Sequence, residues 1–248
     1  MNALRIEKLT KKYPQFTLDE VSFTLERGRI MGLIGKNGAG KTTALKSILN
    51  LVSPDSGTIE ILGLPNPEQE LECKQKLGAV LGGIDFYRDK KLTAITDVTR
   101  RFYRHWDEAA CRRYLDEFAI DPGKRVRELS AGMRVKYLIA LALSHHAELF
   151  IFDEPTSGLD PVSRDELLSI FRALTADGTR SILYSTHITS DLEKCADDIT
   201  YIKDGRVLAS AEKGTFLRSF QHLRTPEDTA PLTLEDIMVR TERREFHV

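Results

Sequence analysis

Eight residues, Gly35-Lys36-Asn37-Gly38-Ala39-Gly40-Lys41-Thr42, place a glycine, four residues and then Gly-Lys-Thr in one run. Glycines at 35, 38 and 40 let the backbone fold tightly enough for its N–H groups, from Lys36 through Thr43, to converge on phosphate oxygens. Lys41 has the reach for the β- and γ-phosphates of a nucleotide, and the Thr42 hydroxyl is a suitable magnesium ligand. A glycine-rich connection with a chance lysine is the alternative. The flanking residues argue against it: the apolar "RIMGLIG" reads as a strand running into the run, and "KTTALKSILNLV" reads as a helix leaving it.

A hydrolase built on such a loop needs a carboxylate at a second strand end. "LFIFDEP" offers two, since Leu149 to Phe152 are apolar and Asp153 and Glu154 follow them. Asp153 is placed to hold the magnesium shell with Thr42. Glu154, one step on, is free to orient or deprotonate an attacking water. His187 closes another apolar stretch, "ILYSTH", and ligands of open parallel sheets sit at the carboxyl ends of strands, so it is a candidate γ-phosphate contact. The other five histidines carry no comparable argument. A further phosphate-facing feature is "LSAGM", residues 129–133, where Ser130 is a good N-cap and Ala131 and Gly132 form a small-residue helix mouth that suits an anion.

The elements that must carry these residues alternate. Short β-type stretches fill the opening third, and "TIEILG" and "KLGAVLG" follow the phosphate loop. From about 93 to 146 the pattern is helical, with Asp107 capping "EAACRRYLDEF" and Ala110, Tyr114, Leu115 and Phe118 on one face. Strand and helix alternate again through "ELFIFD", "DELLSIFRALTADG" and "RSILYSTH". A hairpin, "ITYIKDGRVLAS", then turns at Asp204-Gly205. An α/β chain with a mainly parallel, helix-flanked sheet and an inserted helical lobe is implied. The tail after residue 211 is short on apolar periodicity and reads as a small appended subdomain or a mobile arm.

The whole chain sets limits on partners. With 248 residues and a net charge of −1, there is no bulk electrostatic reason to bind nucleic acid. No apolar run approaches the length of a bilayer span, and the start "MNALRIEKLT" lacks a signal-type apolar core, so a cytoplasmic location is expected. Cys73, Cys111 and Cys195 show neither metal nor redox spacing. The basic and aromatic stretch at 89–106 is either a solvated helix face or a contact for a membrane protein or lipid headgroup.

Taken in order, these motifs resemble the nucleotide-binding subunit of ATP-binding-cassette (ABC) transporters over about residues 4–209. Tyr13 matches the aromatic that stacks on adenine, 35–43 the Walker A loop, "LSAGM" the signature segment and "LFIFDE" Walker B with the catalytic glutamate. "SGLD", ending in Asp160, matches the D-loop, and His187 the switch histidine. The resemblance implies a P-loop ABC-type ATPase: a mainly parallel sheet core, an antiparallel β subdomain, a helical lobe at about 84–146, a cassette spanning 1–211 and a short extension at 212–248. It implies ATP and Mg2+ as ligands. It implies as partners a second cassette packed head to tail and a separate transmembrane permease that holds the chain at the inner face of the membrane. Ser130, Ala131, Gly132 and Asp160 would then face the partner's nucleotide.

The chain is similar to small bacterial exporters of peptides or drugs. A soluble ABC ATPase acting on ribosomes or DNA, or a nucleotide-gated scaffold with little turnover, are the alternative readings. Two departures stand out. Ala131 and Met133 replace a glycine and a glutamine of the usual signature, implying weakened capping. The glutamine the family places at about Gly82 is missing, with Asp85 three residues on.

Overall fold

The computed structural model describes residues 1–81 and 87–243, so Gly82 and Asp85 lie outside the described residues. The chain opens with β1 (Asn2–Tyr13) and β2 (Phe16–Glu26), an antiparallel pair, and then β3 (Ile30–Ile34) feeds α1 (Lys41–Ile48) through the glycine-rich loop. Next come β4 (Ser56–Ile61), β5 (Leu64–Asn66), α2 (Glu70–Gln75) and β6 (Leu77–Val80). The helical stretch contains α3 (Leu92–Thr99), α4 (Glu108–Glu117) and α5 (Ala131–Ser144). It is followed by β7 (Leu149–Asp153), α6 (Pro161–Thr175), β8 (Ser181–Ser185), α7 (Thr189–Cys195), β9 (Asp198–Lys203) and β10 (Arg206–Glu212). Two helices end the described chain, α8 (Lys213–Ser219) and α9 (Leu234–Glu242).

These strands make two sheets. One is antiparallel in the order β2-β1-β4-β5, and the other runs β10-β9-β3-β8-β7-β6, parallel throughout except for β10. Strands β3, β7 and β8 are buried on both faces, which is why they read as continuous apolar runs. Their period-two alternation splits the interior. Ile30, Ile34, Phe150, Phe152, Ile182 and Tyr184 face one core with α5, α6 and α7. Met31, Leu33, Leu149, Ile151 and Leu183 face the other, filled by α1 and by the antiparallel sheet. Helix α1 is thus held between two sheets, which fixes the phosphate loop at its N-terminus.

A third, smaller core joins Leu92, Cys111, Leu115, Ile120 and Leu129 to Tyr137 and Leu141 of α5. Helix α5 gives its other side, Val135, Ile139, Ala142 and Leu143, to the main core. Being apolar nearly all round, it ties the helical lobe to the sheet. Asp107 caps α4 through a bond from Ala110 N at 2.9 Å, as its position in the sequence implies.

The tail differs from the sequence expectation of an appended subdomain or mobile arm. Phe216, Phe220, Leu232, Leu234 and Ile237 are buried in the main core beside Tyr201 and Ile199. The helices are short and their apolar residues few, so no period stands out, yet each apolar side chain meets the sheet. The β9–β10 turn has left-handed backbone at both Asp204 and Gly205, the geometry that suits a two-residue hairpin.

Candidate active site

Gly35 leaves β3 with φ +149°, and a Cβ there would lie 2.2 Å from the Ile202 carbonyl oxygen; Gly40, at φ +113°, would press on Leu18 and the Phe16 ring. Only glycine lets the loop turn this tightly against both sheets. Helix α1 then starts with no side-chain cap, so its first N–H groups are left for a ligand. A cavity of about 520 Å³ opens there, lined by Asn37, Gly38, Gly40, Lys41, Thr42 and Thr43 from the loop and helix. Gln15, Phe16 and Glu154 complete its wall. Ala39 is buried beneath the loop, where its carbonyl accepts a bond from Gly205 N at 3.0 Å.

Lys41 is almost wholly buried, and its ammonium donates to the Gly35 and Lys36 carbonyls at 2.7 and 3.3 Å. Burial lowers its pKa, opposed by the nearby Glu154 and Asp153 carboxylates. Thr42 Oγ1 donates to Asp153 at 3.0 Å from Oδ2, across the gap between α1 and β7. A hydroxyl and a carboxylate brought together at a phosphate loop form the all-oxygen donor set that magnesium prefers. Among the described residues no group of three or more His, Cys, Asp or Glu side chains could hold a metal ion by itself.

Glu154 follows the end of β7 in a left-handed conformation, φ +51°, uncommon for a residue with a Cβ. That turn swings its carboxylate out of the strand line. One oxygen lies 3.8 Å from Lys41 Nζ, and the other is 2.8 Å from His187 Nδ1. Strand β8 supplies the link, because Asp153 and Ser185 are register partners in the parallel pair. Ser185 Oγ donates to Asp153 Oδ1 at 2.5 Å and accepts from Glu154 N at 3.1 Å. One buried hydroxyl thus orients the metal-side carboxylate and pins the backbone of the base candidate. Sequence reasoning missed Ser185. Its signal was a polar residue closing a strand that is otherwise apolar from Ile182 to Tyr184.

A family model described as ABC transporter matches residues 18–157, more than half of the chain. The chain belongs to the ABC transporter family. This cassette is 34% identical over 210 residues to the Nod factor export ATP-binding protein I of Burkholderia lata, covering 83% of this chain and 69% of the relative. It is 31% identical over 208 residues to the bacitracin transport ATP-binding protein BcrA of Bacillus licheniformis, covering 83% and 68%. Among solved structures, an ATP-binding subunit of an ABC transporter superposes with a TM-score of 0.83 at 29% identity, over 97% of this chain and all of that one. The activity of the ABC cassette is ATP hydrolysis, and the folded chain has the family's two-sheet P-loop architecture.

The remaining motif residues of the cassette fall outside this cluster. Tyr13, at the end of β1, is partly exposed and pairs in register with Phe16, and it is Phe16 that lines the cavity. The Lys36 side chain leaves the cavity and pairs with Asp204 and Glu242 at 3.5 and 3.2 Å. Ser130 caps α5, accepting from Met133 N at 3.2 Å, and it and Ala131 are exposed and line no part of the phosphate cavity. Gly132 is buried, and a Cβ added there would meet Ser163 and Leu159 at ordinary van der Waals distance. Asp160 caps α6 with 3.0 Å bonds from Val162 N and Ser163 N, both to Oδ1. A larger groove, about 720 Å³, lies between the two sheets, crossed by the Arg29–Asp198 ion pair, and holds none of the motif residues. No described helix is long and apolar enough to cross a membrane.

Proposed function

We propose that this cassette hydrolyses ATP with Glu154 as the general base and His187 as its partner, pairs head to tail with a second cassette, and drives a separate permease that exports a peptide or drug. The observation that carries the chemistry is the three-way contact of Lys41, Glu154 and His187 at the mouth of the phosphate loop. Magnesium, held by Thr42 and Asp153, would supply charge neutralisation for the β- and γ-phosphates. Lys41, now resting on loop carbonyls and near Glu154, would turn to the phosphates and free the carboxylate. Glu154 would take the proton of the attacking water as its oxygen bonds to the γ-phosphorus and the bond to ADP breaks. His187 would hold that carboxylate and meet the γ-phosphate.

The head-to-tail pairing is supported by where the signature residues stand. An exposed helix mouth with free N–H groups, capped by Ser130 and lying outside its own chain's phosphate cavity, suits a nucleotide held by another copy. Export is supported by relatives that carry Nod factor export and bacitracin transport in their names. A cytoplasmic, membrane-peripheral location follows from the same reading.

The test is a pair of substitutions followed by phosphate release and ATP binding. Glu154→Gln is expected to bind ATP within a fewfold of wild type, lose hydrolysis by at least about 100-fold and run as a dimer with ATP and magnesium. Lys41→Ala is expected to lose ATP affinity. Turnover near wild type in Glu154→Gln would remove the base assignment, and a strictly monomeric Glu154→Gln protein at saturating ATP would remove the shared site.

A further inference from the structure

Lys36 belongs to the phosphate loop by sequence, yet its side chain runs behind it. There its ammonium lies 3.2 Å from Glu242 Oε2 and 3.5 Å from Asp204 Oδ1, a charge contact rather than a directed hydrogen bond. The other oxygen of Glu242 accepts from the Tyr201 hydroxyl at 2.8 Å. The Glu242 side chain is only 15% exposed, against 44% for Lys36. Glu242, followed by Asp204, raises the Lys36 pKa, so the lysine stays charged in this contact.

The carboxylate comes from the last residue of α9, and α9 is firmly seated. Leu234 and Ile237 are fully buried in the main core, and Arg240 grips Asp228 with two bonds of 2.6 and 2.5 Å. Lys203 Nζ holds the Thr241 carbonyl at 2.7 Å. On the loop side, the Lys36 carbonyl is one of the two that hold the Lys41 ammonium. A line of contacts therefore runs from the tail helix through Lys36 to the lysine at the phosphate site. The outer face of α9, with Glu235, Met238 and Val239, also forms one wall of a cavity of about 370 Å³ whose other wall is His187 to Ser190.

We infer that Glu242 is a positioning residue for nucleotide binding: it tethers Lys36 from behind and thereby holds the phosphate loop in its binding shape. The inference rests on the reading of that loop as the ATP site. A loop held in place before the ligand arrives loses less conformational freedom on binding, so the tether acts on affinity rather than on the chemical step.

The test is Mg–ATP binding and saturated turnover of the full chain, with Glu242→Gln, Lys36→Met, their double variant and Lys41→Ala. Glu242→Gln keeps an acceptor for Tyr201 and removes only the charge. It should weaken ATP binding by about three- to tenfold, the scale of a partly screened ion pair, with turnover at saturating ATP within about twofold. Lys36→Met should also weaken ATP binding, and the double variant should bind no more weakly than the weaker single one. Lys36→Met also decides the matter if Glu242→Gln does not fold, because the Lys36 head is half exposed. Wild-type affinity in the single variants, or losses that add in the double one, overturns the tether, provided Lys41→Ala has lost ATP. If Lys41→Ala binds ATP normally, the loop assignment fails and the tether with it.

Discussion

Ser185 shows how much of the site hangs on one atom. Its Oγ joins Asp153 to the backbone of Glu154; its loss leaves Asp153 Oδ1 with only the longer 3.3 Å bond from Thr42, while the Glu154 N–H keeps the Ser185 main-chain carbonyl at 3.1 Å. Ser185→Ala is expected to lower turnover at saturating ATP by about tenfold or more, because a bond to a charged group is worth about 1.5–3 kcal/mol, while ATP affinity changes little. Steady-state phosphate release measures this, and an unchanged rate would reduce Ser185 to a packing residue. Gly35 makes the complementary case on the backbone. Gly35→Ala would put a methyl group against the Ile202 carbonyl at a positive φ, so both stability and ATP affinity should fall together in denaturation and binding assays.

Helix ends organise the next level. Asp107, Ser130 and Asp160 each cap the start of a helix, but they sit in different company. Asp107 is remote from the phosphate cavity, and Asp107→Ala should cost about 1 kcal/mol in urea unfolding with no change in ATP binding. Ser130→Ala should cost a similar amount and, in addition, lower hydrolysis in the paired form, if its helix mouth serves the partner's nucleotide. A loss of stability alone, with full activity, would confine Ser130 to its cap. Asp160 differs from both: its two backbone bonds fall on the single oxygen Oδ1 of an exposed carboxylate, so capping α6 leaves it able to accept from a further group.

Across the whole molecule, His145 joins the helical lobe to the end of α2 and makes the fold sensitive to acid. It is buried, stacked on Tyr103 with ring centres 3.6 Å apart, and its Nδ1 lies 3.2 Å from the Gln75 carbonyl. Burial is the main reason its pKa is pushed down to about 4. Below the ordinary value near 6.5 the unfolded chain takes up a proton that the folded chain refuses, so the stability from a neutral His145 is complete above about pH 6.5 and is lost as the pH falls toward 4, by about 3 kcal/mol at most. Urea midpoints at pH 7 and pH 5 should differ for wild type and differ less for His145→Asn. An equal pH dependence in both proteins would assign the effect to other groups.

The sequence by itself determined the chemistry-bearing runs, because each is local. A phosphate loop needs only glycines at fixed offsets between a strand and a helix, a buried parallel strand announces itself as four apolar residues before a carboxylate, and Ser130 caps the helix that directly follows it. Tertiary structure alone decided which side chains meet. The register of β7 against β8 set Ser185 under Asp153, and the β1–β2 turn put Phe16 at the cavity. Two short helices with too few apolar residues to show a period became part of the main core because each of those residues met the sheet. Glu242 stands more than two hundred residues from Lys36 in the chain, and no spacing rule reaches that far. Contacts between distant segments are fixed by packing, which depends on all the elements at once.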